Sequence, residues 1–294
     1  MLWRGRRESD NISDRRGFSG RGIAVGGGAI GLIIYLLNFF LSGGDLSQLA
    51  NQSMQSGQSL SPEQQAADDE RAKFVKVVLA ETEDVWHELF KEQGRTYSVP
   101  TLVMFRDAVQ SGCGNASASS GPFYCPADQQ VYIDLSFYEE LQQRFHVQGD
   151  FPMAYVIAHE IGHHVQNLLG VSEQMAEKRQ QLSEVEYNRY SVMAELQADF
   201  YAGLWAHYAN RMDTILEEGD IQEALDAANA IGDDMLQKQT QGTIVPDAFT
   251  HGTSAQRMYW FKKGWTTGDM KQGDTFRDAA LSLLFKENNS AALN

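Results

Sequence analysis

Residues 158–166 read Ala158-His159-Glu160-Ile161-Gly162-His163-His164-Val165-Gln166, and the reading of this stretch decides the fold. On a helix, His159 and His163 share one face, one turn apart. Two imidazoles so placed can hold one zinc ion at about 2.0–2.1 Å. Glu160 flanks them, and a carboxylate beside a zinc-activated water can take its proton as attack begins. Val156, Ile157, Val165, Leu168 and Leu169 give the same helix apolar faces, so burial is expected. Unpaired polar groups are costly in a buried helix, and a metal supplies partners for two histidines and a glutamate.

A catalytic zinc takes three protein ligands, with water completing the site. Downstream, Glu195-Leu196-Gln197-Ala198-Asp199 puts two carboxylates on one helix face, among Met193, Ala194, Phe200, Tyr201 and Leu204. Glu195 is therefore expected as the third ligand, and Asp199 as the acceptor that orients His159. The alternative is a pair of ordinary exposed acids, which this apolar setting disfavours.

The rest of the chain bounds the setting. It has 294 residues, with 43% hydrophobic and 11% aromatic residues, enough for a substantial core. Its formal net charge of -15 lacks the basic footprint of nucleic-acid binding, so no nucleic-acid partner is expected. Cys113 and Cys125 flank a Gly-, Ser- and Ala-rich segment. They suit one disulfide pinning a loop in an oxidising compartment, worth roughly 2–3 kcal/mol in the chain-entropy model, or two free thiols in the cytosol.

Residues 1–21 carry Arg4, Arg6, Arg7, Arg15, Arg16 and Arg21 and are expected to be a cytoplasmic basic tail. Gly22–Leu41 then runs about 20 residues without a charge, the length that spans a hydrocarbon core of about 30 Å. A single transmembrane helix over 22–42 follows, with the N-terminus cytoplasmic by the positive-inside rule and the remainder outside. A cleaved signal peptide and a buried core helix fit less well. Residues 43–70, rich in Gln, Ser, Gly and Asp, read as a flexible linker, and 71–294 as the folded domain.

Within that domain the periodicity predicts a helix over 72–93 and strands at Thr101–Phe105 and Gln130–Leu135. Further helices are expected at Phe137–His146, 152–168, 176–209, 220–238, 253–264 and 274–286. The class is α+β, mostly helical, with a small sheet. His164 is expected to be a structural hydrogen-bonder, and His87, His146 and His207 structural or surface residues. His251 lies in Phe249–Arg257, a loop opening a helix, from which an imidazole could stabilise an oxyanion. The blander reading is a helix capped by Thr253 or Ser254 with Arg257 in an ion pair.

The HExxH and ExxxD elements together resemble the gluzincin arrangement of zinc peptidases. Longer stretches resemble the neutral zinc metallopeptidase family of bacterial membrane proteins. These are RGRRESDN (4–11), DRRG (14–17), GPFYCPADQQVYIDLSFY (121–138), AHEIGHHVQNLLG (158–170), ELQADFYAG (195–203) and THGTSAQR (250–257). The resemblance implies an anchored, zincin-like zinc endopeptidase domain with one zinc ion; with the positive-inside reading, that domain is expected on the extracytoplasmic side of the bacterial inner membrane. By analogy, Val131–Leu135 would be the edge strand lining the cleft, and the His251…Arg257 element would follow the ligands as in other membrane zinc peptidases.

The expected function is zinc-dependent hydrolysis of peptide or protein substrates, with Glu160 as general base. The rivals are an anchored chaperone or regulatory module that keeps zinc for stability, and a zinc hydrolase of a cell-envelope amide.

Overall fold

A computed structural model describes residues 1–17, 61–278 and 281. The expected membrane helix 22–42 and the linker as far as residue 60 lie outside these residues. Among the described residues no helix is long and apolar enough to cross a membrane.

The arginine-rich start is not a tail apart from the domain. Ile12–Asp14 forms strand β1, parallel to β2 (Thr101–Phe105), with Ile12 opposite Leu102 and Asp14 opposite Met104. The sheet runs β1-β2-β6-β5, where β6 is Gln130–Asp134 and β5 is Phe123–Cys125; β2 and β6 are parallel and β5 antiparallel. This corrects the edge assignment. Val131 and its neighbours are interior to the sheet; among the described residues its edge strands are β1 and β5, the latter disguised as loop by a Gly-Pro-led segment. A separate hairpin pairs β3 (Ala108–Ser111) with β4 (Gly114–Ser117), and a Cys113–Cys125 disulfide ties its turn to the end of β5.

Helix α1 runs Pro62–Glu92, nine residues earlier than the expected domain start at Arg71. The reason is local: Ser61 accepts from the Gln64 backbone and Gln64 reaches back, a capping box with proline in the first turn. α2 is Phe137–Gln143 and α3, the helix carrying the histidines, is Phe151–Leu168. The single helix expected over 176–209 is two, α4 (Val171–Gln181) and α5 (Glu184–Asp213), because Ser183 and Glu186 form another capping box. Likewise 220–238 breaks into α6 (Asp220–Ala230) and α7 (Asp233–Gln241). Gly232 sits at that break against Ser254, whose backbone nitrogen lies 2.4 Å from where a Cβ would be, so the chain must turn there without a side chain. α8 is Ser254–Thr267. Of the last expected helix, the described part holds a 3-10 turn at Thr275–Arg277.

α3 is the centre of the core. Fifteen of its residues are buried, with α1, α5, α6 and the sheet packed around it. α3 and α5 approach closely at Gly162, where a Cβ would lie 3.0 Å from the Ala198 carbonyl oxygen. That approach brings Glu195 of α5 up to the histidines of α3.

The N-terminal segment grips α1. Arg6 pairs with Glu81 at 3.2 Å, and Arg7 with Glu83 at 2.9 Å and Asp84 at 2.8 Å. Ser9 and Asn11 also donate to Glu83, at 2.5 and 2.8 Å. Arg16 reaches Asp68 and Asp69, and Arg106 makes a second contact to Asp68. Glu81, Glu83 and Asp68 are buried, so these partners satisfy carboxylates largely withdrawn from water. The Met1 ammonium is held by Asp150, Glu217 and Asp220, at 2.8–3.2 Å.

Candidate metal centre

Helix periodicity puts His159, Glu160 and His163 where the sequence requires, and the α3–α5 approach adds Glu195. His159 Nε2 lies 3.1 Å from one Glu195 oxygen and His163 Nε2 lies 3.4 Å from the other. Donors around a tetrahedral zinc with bonds of about 2.0–2.1 Å stand about 3.3 Å apart, so the three groups fit such an ion. One donor atom from each residue lies within 4.8 Å of the others.

The other ring nitrogens are engaged away from this point. Asp199 Oδ1, which can only accept, takes a hydrogen bond from His159 Nδ1 at 2.8 Å. His163 Nδ1 donates to Gln166 Oε1 at 2.9 Å. The Gln166 amide is itself oriented, because its nitrogen donates to the Ala194 carbonyl at 2.7 Å and to Gln197 at 3.1 Å. With each Nδ1 engaged in this way, Nε2 is the nitrogen that both histidines turn towards Glu195, and the one that would take a metal on giving up its proton.

Behind His159 lies a buried network. Arg257 of α8 grips Asp199 with two nitrogens, Nε at 2.9 Å and NH2 at 3.0 Å, and Tyr155 donates to Asp199 at 2.5 Å. Burial alone would push the Asp199 carboxyl up; the Arg257 and His159 charges and their hydrogen bonds hold it at about 2. Burial pushes His159 down, but Asp199 and Glu195 together raise it to about 10 when no metal is present. Burial raises the Glu160 carboxyl, and the nearby His163 and His159 oppose that rise.

The remaining histidines stand in different settings. His164 is hydrogen-bonded to Tyr124 Oη and the Ser98 carbonyl, at 3.1 and 2.6 Å. His87 and His207 bond to the Glu83 and Trp265 carbonyls. His146 follows α2 in a left-handed conformation, φ 57°. His251 is half-exposed on the cleft wall, its Nδ1 3.2 Å from Asp233 Oδ1. Asp233 also accepts from the backbone nitrogens of Thr250, His251 and Gly252, which fixes the loop. Thr253 does cap α8, in a capping box with Gln256.

His159, Glu160, His163, Glu195 and His251 line a cleft of about 870 Å³. One wall is β5, through Phe123 and Tyr124; another is one face of α4, through Val171, Met175 and Arg179. No residue of α4 is buried, so its inward stripe faces the cleft rather than a core. Two members of the site went unread in the sequence although their spacing signals them. Gln166 lies three residues after His163, and Tyr155 four residues before His159, on the same helix face.

A family model described as "Putative neutral zinc metallopeptidase" matches residues 1–276. The chain belongs to that family. It is 49% identical over 289 residues to "Uncharacterized protein YpfJ" of Escherichia coli K12, covering 94% of this chain and 99% of that protein. It is 44% identical over 195 residues to "Uncharacterized protein Rv2575" of Mycobacterium tuberculosis, covering 63% of this chain and 65% of that protein. No solved structure matches it. Membership in a zinc metallopeptidase family agrees with the donor set, and the match includes the N-terminal strand.

The role of Gln166 is testable within this family. Gln166→Leu removes the acceptor from His163 Nδ1 and is expected to weaken zinc affinity by about 10–100-fold. Competition against a chelator measures this, and Gln166→Glu should restore most of the affinity. Unchanged binding in the leucine variant would rule out the orienting role.

Proposed function

We propose that the chain hydrolyses peptide bonds, with one zinc ion held by His159, His163 and Glu195 and with Glu160 as general base. The observation that carries this reading is the convergence of both Nε2 atoms on Glu195 in an open cleft, with Glu160 beside them. A closed structural site would need a fourth protein ligand, and the two cysteines are paired with each other elsewhere. Zinc bound there would polarise the substrate carbonyl and lower the pKa of a water.

Glu160 takes a proton from the attacking water as its oxygen bonds to the carbonyl carbon. It then delivers that proton to the leaving amine as the C–N bond breaks. His251 is held through Nδ1 by Asp233, and its Nε2 has no polar partner among the described residues. In this reading that nitrogen donates to the oxygen that gains charge. Among the described residues β5 ends the sheet on the cleft side and offers backbone groups to an extended chain, so in this reading the substrate runs along Phe123–Cys125 as an added strand, with α4 opposite.

Metal analysis of the purified full chain and cleavage of an internally quenched peptide test the proposal together. About one zinc per chain is expected, with cleavage abolished by a chelator and recovered on adding zinc. His251→Ala should slow cleavage by about tenfold or more at unchanged metal content. Zinc uptake with no hydrolysis of casein or quenched peptides would refute the peptidase reading, and release of peptidoglycan fragments instead would identify an envelope amidase.

A further inference from the structure

The positive-inside reading treats the six arginines of residues 1–21 as free charges held in the cytoplasm. In the folded chain three of them are engaged elsewhere: Arg6, Arg7 and Arg16 pair with acids of α1. The contact is not a loose surface one. β1 donates and accepts in the sheet ladder, the Leu102 nitrogen donates to the Asn11 carbonyl at 2.9 Å and the Arg15 nitrogen to the Met104 carbonyl at 2.8 Å. Ser9 donates from its backbone to Lys76 of α1 at 3.0 Å, and Trp3 stacks edge-on against Phe74, ring centroids 5.5 Å apart.

A hydrocarbon core about 30 Å thick cannot separate groups that touch. Placing residues 1–17 across a membrane from α1 would also strip buried Glu81 and Glu83 of their cations, and a buried charge without a partner is strongly destabilising. We propose that residues 1–17 and the metal-bearing domain occupy one compartment, on the same face of any membrane that carries the chain. The arginines at the start of the chain are then counter-ions of the domain rather than a signal that holds the N-terminus in the cytoplasm. The stretch Gly22–Leu41, outside the described residues, joins two parts of a single folded unit.

Two variants of the full chain, each adding one cysteine to Cys113 and Cys125, test this in cells. Asp10→Cys reports on the N-terminal segment and Glu177→Cys on α4; both positions are exposed and neither side chain makes an ion pair among the described residues. Intact cells or spheroplasts are treated with a membrane-impermeant maleimide, with and without detergent, and the wild-type chain sets the background. The expected result is matched accessibility. Both cysteines label before detergent if the shared compartment is extracytoplasmic, and both label only after it if the compartment is the cytoplasm. One cysteine labelled and the other protected until detergent is added would overturn the proposal, whichever of the two it is.

Discussion

Glu160→Gln is expected to reduce peptide hydrolysis by about 10²–10⁴-fold while the chain still takes up one zinc ion. The two halves of that expectation come from different features of the site. Glu160 is not one of the three converging donors, so its replacement leaves His159, His163 and Glu195 in place. Glutamine has nearly the same shape, so the packing of α3 around a side chain that is 8% exposed is preserved. What is lost is the ability to accept a proton, which an amide cannot do at neutral pH. His163→Ala should behave differently, losing metal and activity together, because it removes one of the donors. The pair of variants therefore separates holding the metal from moving the proton. Metal content by emission spectroscopy and initial rates on a quenched peptide give both readouts. A glutamine variant that cleaves within about twofold of the unaltered chain would end the general-base assignment.

What the sequence makes legible, and what it does not, follows the range of the interactions. His159, His163, Glu195 and Asp199 lie in two i,i+4 pairs, so helix geometry alone sets each pair on one face. Their convergence needed one tertiary fact, the approach of α3 and α5 at Gly162, and the apolar neighbours of both motifs signal it. The break at Ser183 was also written locally, in Ser183-x-x-Glu186, but a continuous helical pattern on either side conceals it. The break at Gly232 was not local, since its cause is the backbone of Ser254 more than twenty residues on. Sheet order was equally out of reach. Nothing in Phe123–Cys125 states that it lies outside Gln130–Asp134 rather than inside it. The least legible element was β1. RGRRESDN has the composition of a solvated tail, and it is ordered by acids of α1 about 50–75 residues away in sequence.

That distant pairing leads to the second large effect, that a chain beginning at Ser61 will not hold the fold of the full protein. A fragment starting there keeps every proposed metal ligand, Glu160 and the whole cleft, and composition would favour it as the soluble piece to make. It lacks β1, which leaves β2 as an open edge, and it lacks Arg6, Arg7 and Arg16. Asp68 would retain Arg106, but Glu81, 6% exposed, and Glu83, 5% exposed, would each lose the arginine that pairs with it. Leaving a buried carboxylate without its partner costs about 3–5 kcal/mol. Two such losses, with the strand's hydrogen bonds, approach the whole stability of an ordinary domain, about 5–15 kcal/mol. The fragment is therefore expected to be unfolded, or to melt at least about 10 °C below the full chain, with zinc binding weakened although no ligand has been touched. Thermal unfolding followed by circular dichroism makes the comparison. A synthetic peptide of residues 1–17 added to the fragment should recover part of the difference, since the ion pairs and the strand need contact with the domain rather than continuity with it. A fragment that melts within a few degrees of the full chain would mean that the arginines at the start of the sequence are dispensable to the domain, and the single-compartment inference would lose its energetic basis.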